Sequence, residues 1–203
     1  MSKRRYTQKK RAHQQSETRE RIVQATMALH EEVGPRDTTV SAIAERAGVQ
    51  RLTVYRHFPD DNALFRACTS RWLELNPPPA AETWSNLEDP MQRARKALEL
   101  FYVYYRSGER MWSRAYRDRE AVAALAAPME EYDSFLNTVR DDLLKGWKLP
   151  SRTAHHLRAT IHLALQFQTW RSLDQAGLND AAMTDLVCDW IRCATGHSST
   201  SSH

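Results

Sequence analysis

The amino-acid composition predicts an all-α protein. Alanine and leucine supply 44 of the 203 residues, whereas valine and isoleucine supply only 13. Alanine and leucine favour helices and β-branched residues favour strands, so a fold rich in β-sheet is disfavoured. Only 6 residues are glycine, and no glycine-rich phosphate loop or nucleophile-elbow motif occurs. Apolar residues at helical spacing indicate about nine helices in two domains.

The excess positive charge lies in the first third of the chain. The formal net charge is +4, and residues 1–62 carry all of it, with 12 Lys and Arg against 8 Asp and Glu. This asymmetry predicts an anionic partner for that third, either nucleic acid or a membrane surface. Residues 1–15 contain six cations and no acid, which predicts a flexible, solvated arm. Its cations are Lys3, Arg4, Arg5, Lys9, Lys10 and Arg11.

Residues 16–76 are predicted to form a domain of four helices. The first helix ends at Gly34-Pro35, because both residue types terminate helices. The fourth is followed by Asn76-Pro77-Pro78-Pro79, a rigid segment that marks the domain boundary. Side chains that can cap a helix N-terminus precede the first, second and fourth helices. The expected helices run from about Ser16 to Val33, Thr39 to Ala47, Arg51 to Phe58 and Asp61 to Leu75.

The second and third of these helices match a helix-turn-helix pattern. Gly48 can adopt the left-handed conformation that the turn requires, and Ala44 is small where the two helices cross closely. Val54 and Phe58 form the apolar side of the third helix, so its polar side is expected to enter the major groove of DNA. The residues expected on that side or at the N-terminus of the helix are Gln50, Arg51, Leu52, Thr53, Tyr55, Arg56 and His57.

Residues 19–64 resemble the DNA-binding domain of the tetracycline-repressor (TetR) family. The resemblance rests chiefly on Ala-Gly-Val at 47–49 and Thr-Val-Tyr-Arg-His-Phe at 53–58. It implies a dimeric repressor that leaves a pseudo-palindromic operator when a small molecule binds. It also implies phosphate contacts from Thr39, Tyr55 and His57. The implied base contacts come from Ser41, Gln50, Arg51, Leu52, Thr53 and Arg56.

The sequence departs from this family at four places, one of which is Leu52, where a small residue is usual. Aromatic residues are common in the family where His30 and Pro35 occur here. A lysine that points at a phosphate is usual near the start of the fourth helix, where this chain has Asp60-Asp61-Asn62. The basic arm is expected to compensate by contacting phosphates or entering the minor groove, although a solubilising tail would have the same composition.

Residues 77–196 are predicted to form a second helical domain, followed by a disordered tail at 197–203. Its middle helices are rich in aromatic residues, which either form ordinary core or line a pocket for a largely hydrophobic or aromatic effector. The pocket candidates are Phe101, Tyr104, Tyr105, Trp112, Tyr116, Tyr132, Phe135 and Gln168. The five helices run from about Pro90 to Arg106, Glu109 to Ala127, Pro128 to Lys145, Ser151 to Gln175 and Asp180 to Thr195.

The last two helices are apolar on more than one side. A helix that is buried on two sides suits one face toward its own subunit and another toward a partner, which predicts a four-helix homodimer interface. The interface candidates are Leu157, Ile161, Ala164, Trp170, Val187, Trp190 and Ala194.

These patterns favour a ligand-responsive DNA-binding regulator and leave two alternatives open. One is a DNA-binding regulator controlled by a protein partner without a small ligand. The other is an all-helical enzyme, which no catalytic motif supports, so we predict that the protein is not an enzyme. We expect no cofactor and no metal, because His155 and His162 share a helix face but lack further ligands. Three cysteines without C-x-x-C spacing, and no apolar segment of bilayer length, predict a cytoplasmic protein that does not enter membranes.

Overall fold

A computed structural model describes the backbone of residues 2–196 and the side chains from Gln8 onward. Over this range the chain forms ten α-helices and two short 3-10 helices and no strand, which confirms the predicted all-α class. In chain order the α-helices are α1 (Ser2–Glu32), α2 (Val40–Ala47), α3 (Arg51–His57), α4 (Asp61–Leu75), α5 (Pro90–Ser107), α6 (Glu109–Asp118), α7 (Ala126–Leu143), α8 (Ser151–Ala164), α9 (Phe167–Gln175) and α10 (Asp180–Thr195). The 3-10 helices span Ala81–Thr83 and Ala123–Leu125.

The chain divides into two compact units. The N-terminal unit contains the chain up to Pro77 together with Arg110–Met129, and the C-terminal unit contains Pro78–Glu109 and the chain from Glu130 onward. This division corrects the predicted assignment of residues 110–129 to the second domain. The physical reason is apolar packing within the N-terminal unit, where the Trp112 ring contacts the Trp72 ring of α4 edge to face, 5.5 Å between centroids.

The core of the N-terminal unit joins α1 to α2, α3 and α4. Its fully buried side chains are Ile22, Val23, Ala25, Leu29, Ile43, Ala44, Ala47, Val54, Phe58 and Leu64. Two of the predicted caps are present. The Thr39 side chain accepts the Ala42 backbone N–H (3.2 Å), and the Asp60 carboxylate accepts that of Ala63 (2.7 Å). These caps fix where α2 and α4 begin.

Helix α1 starts much earlier than the sequence analysis predicts. Residues 2–15 are helical rather than an irregular arm, and Ser16 is not an N-cap. No glycine or proline precedes Gly34, and residues 2–15 are rich in Lys, Arg and Gln, so nothing interrupts a helix that the core nucleates further along. Residues 8–17 are all exposed, so this part of α1 is a solvated extension of a core helix. Residues 197–203, predicted to be a disordered tail, lie outside the described range.

In the C-terminal unit, α10 packs against both α8 and α5. The predicted single helix from Ser151 to Gln175 is wrong, because the chain breaks between α8 and α9. Side-chain hydroxyls there occupy carbonyls that would otherwise accept helical N–H groups. Tyr102 donates to Ala164 O (3.1 Å), Tyr105 donates to Leu165 O (2.6 Å), and Thr169 donates to Leu163 O (2.6 Å). The predicted helix over 109–127 also ends early, at Asp118.

Candidate nucleic-acid interface

The turn between α2 and α3 is fixed by backbone geometry. Gly48 lies in the left-handed region (φ 64°, ψ 42°), as the sequence predicts. Its N–H donates to Glu45 O (3.1 Å), and the N–H of Val49 donates to Ala44 O (2.9 Å). Ile43 and Ala44 are buried against α1, so α2 holds the turn and α3 at a defined angle.

Helix α3 presents its polar side to solvent. Val54 and Phe58 are buried, whereas Leu52 is 76% exposed and Tyr55 is 47% exposed. Arg51 and Arg56 are exposed on the same side. All nine predicted DNA-contact residues are therefore at least partly accessible, and those of α3 share one surface, which we call the α3 surface (Arg51, Leu52, Thr53, Tyr55, Arg56 and His57).

Two arginines of α1 extend this surface, and the sequence analysis did not single them out. The guanidinium of Arg19 lies over the Phe58 ring, 4.8 Å from its centroid. The side chain of Arg21 lies close to Gly48, with Nη1 3.8 Å from where a Cβ of residue 48 would stand. Partial burial, with Arg56 and Arg19 nearby, lowers the pKa of His57, so this imidazole is neutral at pH 7 and supplies a hydrogen bond rather than a charge.

The loop that leads into α2 is held by α6. The Asp118 carboxylate is buried and accepts the Arg36 backbone N–H at 3.1 Å. Arg117 pairs with the same carboxylate (Nε to Oδ1, 2.6 Å) and donates to Val33 O at 2.8 Å. Hydrogen bonding to Arg117 is the main cause that lowers the pKa of Asp118, so the carboxylate stays charged at neutral pH. Nothing in the sequence distinguishes Asp118 from its exposed acidic neighbours.

A second ion pair fastens α2 to the end of α1. Arg46 of α2 donates two hydrogen bonds to the Glu32 carboxylate, at 2.7 and 2.6 Å. Such a bidentate pair fixes direction as well as distance. Both side chains are about half exposed, so its contribution to stability is small, and its effect is to orient α2.

The structure brings five of the eight predicted effector-pocket residues together in the C-terminal unit. Phe101, Tyr104, Tyr105, Tyr132 and Phe135 form a connected aromatic cluster, with Phe101 and Phe135 centroids 6.2 Å apart and Tyr104 and Tyr105 centroids 5.8 Å apart. The Tyr132 hydroxyl donates to the Tyr105 hydroxyl at 2.8 Å within it.

The other three pocket candidates lie elsewhere. Trp112 and Tyr116 belong to the N-terminal unit, where their ring centroids are 6.2 Å apart. Gln168 is exposed on α9. Helical periodicity placed all eight pocket candidates on or beside apolar helix faces, but it does not predict in which of the two units each face is buried.

Five of the seven predicted dimer-interface residues are core residues of their own chain. Leu157, Ile161, Ala164, Trp170 and Val187 are each at most 1% exposed within a single chain, so they cannot reach a partner. This corrects the prediction. The sequence predicted more than one apolar side for each of the last helices, and the pattern does not reveal which side packs within the chain. Trp190 and Ala194 remain partly exposed, next to Leu186 on α10, and Leu163 of α8 is 54% exposed.

The described residues contain neither a candidate metal site nor a candidate membrane span. No group of three or more His, Cys, Asp or Glu side chains there is arranged to hold a metal ion. Between residues 2 and 196, no helix is both long enough and apolar enough to cross a membrane.

Comparisons with known proteins agree with this geometry. Residues 22–68 match the family described as bacterial regulatory proteins, tetR family. The chain is 42% identical over 55 residues to the HTH-type transcriptional regulator BetI of Serratia proteamaculans, a match that spans 27% of this chain and 27% of that relative. The match to these curated relatives therefore spans about a quarter of their length.

Solved structures resemble the chain over most of its length. A TetR-like transcriptional regulator from Rhodococcus sp. RHA1 superposes with a TM-score of 0.63 at 19% identity, over 88% of this chain and 96% of that one. The multidrug binding protein EbrR, solved in complex with imidazole, superposes with a TM-score of 0.55 at 14% identity, over 90% of this chain and 92% of that one. At these identities the likeness establishes the shared fold.

Proposed function

We propose that this chain is a transcriptional regulator of the TetR family, and that it is a homodimeric repressor that binds a pseudo-palindromic operator and leaves it when a small effector binds. The match of residues 22–68 to that family and the fold shared with a TetR-like regulator support the proposal. The α3 surface is the observation that carries this proposal. It places Arg51 and Arg56 on an exposed helix face beside Tyr55, with Val54 and Phe58 anchoring the other side. Arginine can pair with guanine through two hydrogen bonds, and a tyrosine hydroxyl can donate to a phosphate.

The remaining proposed DNA contacts follow from where each residue lies on its helix. Thr39 and Ser41 are exposed at the start of α2, where helix N-terminal amides favour a phosphate. Gln50 is exposed at the N-terminus of α3, where base edges are usually met. His57 is neutral and half-buried, which suits a phosphate hydrogen bond more than a charge contact.

The helical extension of α1 supplies the positive charge that residues 16–62 lack. Residues 16–62 carry 6 Lys and Arg against 8 Asp and Glu, whereas residues 1–15 carry six cations. Arg19 lies on Phe58 at the end of α3, so the exposed residues 8–17 leave the unit next to the α3 surface. At 1.5 Å per residue this stretch is roughly 15 Å long, enough to reach phosphates outside the region that α3 covers. Lys9, Lys10 and Arg11 are its exposed cations, and Lys3, Arg4 and Arg5 precede them in the chain.

The aromatic cluster of the C-terminal unit is the proposed effector site. Phe101 and Tyr105 are fully buried, and the linked hydroxyls of Tyr105 and Tyr132 provide a polar group within apolar surroundings. Effector sites of this kind combine apolar walls with few polar groups. A largely hydrophobic or aromatic effector fits this chemistry, and the shared fold of the multidrug binding protein EbrR supports it.

The proposed dimer forms through the outer faces of α8 and α10. Leu163 is the large apolar side chain exposed on α8, and Leu186, Trp190 and Ala194 are the partly exposed apolar residues of α10. A dimer would set two α3 helices about one DNA turn apart (~34–36 Å), which is the spacing that a palindromic operator requires.

Selection of bound DNA from a random pool tests the proposal. The selection is then repeated in the presence of a library of hydrophobic and aromatic compounds. We expect an enriched palindrome whose half-sites are about one helical turn apart, and release by at least one compound. Enrichment without release by any compound would favour control by a protein partner. Absence of any enriched sequence would overturn the assignment of α3.

A further inference from the structure

The N-terminal unit contains a cavity of its own, which is partly open to solvent. Its volume is about 490 Å³, and it is bordered by α1, α2, α4 and residues 121–124. The size lies in the usual range for small-molecule sites. The apolar walls include Pro35, Val40, Ile43 and Phe65. The proposed operator and effector sites do not use this space.

Two buried polar side chains border the cavity, Thr26 and His30, and the Thr26 hydroxyl already donates to Ile22 O at 2.8 Å, which leaves His30 as the candidate contact. His30 is only 4% exposed, its Nδ1 lies 3.7 Å from the Cys68 Sγ, and its ring packs on Phe65 with 4.9 Å between centroids. Among the described residues it has no other hydrogen-bond partner. Its second ring nitrogen, Nε2, is therefore left for whatever occupies the cavity.

The neighbour of Nδ1 favours one hydrogen-bonding role for Nε2. Burial raises the pKa of Cys68 to about 12, so the thiol keeps the hydrogen that it can donate to Nδ1. Burial also lowers the pKa of His30 to about 4, so the ring carries one hydrogen at neutral pH. With Nδ1 acting as acceptor, that hydrogen is on Nε2, and the cavity presents an N–H donor.

The charges around the cavity favour a neutral ligand. Arg36 and Asp61 border it with opposite signs, and both residues are exposed, so their charged groups remain in water. No charged side chain lining the cavity is buried. A bound ion would thus lose its hydration without gaining a partner.

We propose that this cavity binds a small, uncharged aromatic compound through a hydrogen bond from His30 Nε2–H to an acceptor oxygen of the ligand. The ring of the ligand packs against Phe65, Val40 and Ile43. The site is separate from the aromatic cluster of the C-terminal unit, because every residue that lines it belongs to the N-terminal unit.

Occupancy would act on DNA binding through the start of α2. Arg36, Thr38 and Val40 border the cavity, and they flank Thr39, the N-cap that precedes Ser41. A ligand that packs under this segment changes the position or the rigidity of α2. This effect on DNA rests on the proposed function, whereas binding to the cavity does not.

Calorimetric titration of the full chain with acetophenone and with ethylbenzene tests the proposal. The two probes have nearly the same shape, and only acetophenone offers an acceptor oxygen. We expect acetophenone to bind roughly fivefold more tightly, the effect of one hydrogen bond. His30→Phe removes the donor and fills part of the cavity, so it should abolish acetophenone binding at this site. Ala124→Leu narrows the cavity from another wall and should weaken both probes while leaving His30 in place.

The matched control is His156→Phe, the same substitution at an exposed histidine of α8, which should leave both affinities unchanged. Circular dichroism establishes that each variant is folded. Equal affinities for the two probes, no saturable binding at millimolar probe, or binding that survives both His30→Phe and Ala124→Leu would overturn the proposal. If the protein selects no DNA but still binds acetophenone in a His30-dependent way, the cavity proposal stands and the proposed function fails.

Discussion

Asp118 accepts a hydrogen bond from the backbone N–H of Arg36, which lies 82 residues earlier in the chain, at 3.1 Å. The carboxylate is 2% exposed and is paired with Arg117, which also reaches Val33 O. The end of α6 thereby holds the loop between α1 and α2. Gly34 lies beneath this contact with φ +97°, and a Cβ there would lie 2.2 Å from Arg117 Nη2, so the close approach also requires glycine.

Asp118→Asn should lower the free energy of unfolding by about 1–3 kcal/mol, because a charged, buried acceptor is lost while its donors stay in place. Urea denaturation measures the change. Asp37→Asn is the matched control, since Asp37 is 62% exposed and lies 3.6 Å from the same Arg117. It should cost at most about 0.5 kcal/mol. Equal costs for the two substitutions would show that burial of Asp118 does not matter.

Arg51→Ala should weaken operator binding by ~1–3 kcal/mol and relax the preference at one base position in each half-site. Arg51 is exposed at the start of α3, where base edges are met. Tyr55→Phe is the comparison, because loss of a phosphate contact should weaken binding to all sequences alike. Binding to a panel of single-base operator variants separates the two outcomes. An unchanged sequence preference in Arg51→Ala would show that α3 is not the recognition helix.

Replacing Lys9, Lys10 and Arg11 with glutamine should flatten the salt dependence of DNA binding. Glutamine keeps helix propensity, so α1 should stay helical. Each lost phosphate contact lowers the slope of log affinity against log salt by ~0.9. Lys96→Gln, at an exposed cation of the C-terminal unit, is the control and should leave the slope unchanged. A slope equal to that of the wild type would make the extension a solubilising segment.

Leu163→Asp should convert the dimer into monomers, because a charge would be buried at the proposed subunit interface. Light scattering after size exclusion gives the mass directly. Val103→Asp is a matched control: Val103 is 59% exposed on α5 and Leu163 is 54% exposed on α8, so both aspartates are accommodated in a single chain. If both variants keep the wild-type mass, the outer face of α8 does not form the interface.

His30 should make the protein less stable as the pH falls below neutrality. Burial depresses the pKa of this histidine from 6.5 to about 4, against a smaller opposing effect of Asp118, and the Cys68 thiol beside it stays neutral. Between those pH values the unfolded chain binds the proton and the folded chain does not. Each unit by which the pH is lowered therefore reduces the free energy of unfolding by up to ~1.4 kcal/mol from this group. Unfolding curves of the wild type and of His30→Phe, measured at several pH values, isolate the contribution of His30. If the free energy of unfolding changes with pH equally in both proteins, His30 is not its cause.

The sequence by itself determined the local features whose causes are local. Gly48 with its small neighbour Ala44 predicted the turn, and the alternation of Val54 and Phe58 with polar residues predicted which side of α3 faces outward. The bounds of α4 followed from the cap Asp60 and from the proline-rich segment that follows the helix. Short-range hydrogen bonding and periodicity suffice for such features.

Only the tertiary structure decided where apolar faces and buried polar groups go. The apolar stripes of the last helices predicted Leu157 and Val187 at a subunit interface, whereas packing within the chain buries both in its own core. The break before α9 depends on hydroxyls of Tyr102 and Tyr105, about 60 residues away in the chain. The contact between Asp118 and Arg36 is of the same kind. Such partners are distant in sequence, and a residue pattern does not predict which distant groups will form hydrogen bonds with a buried carbonyl or carboxylate.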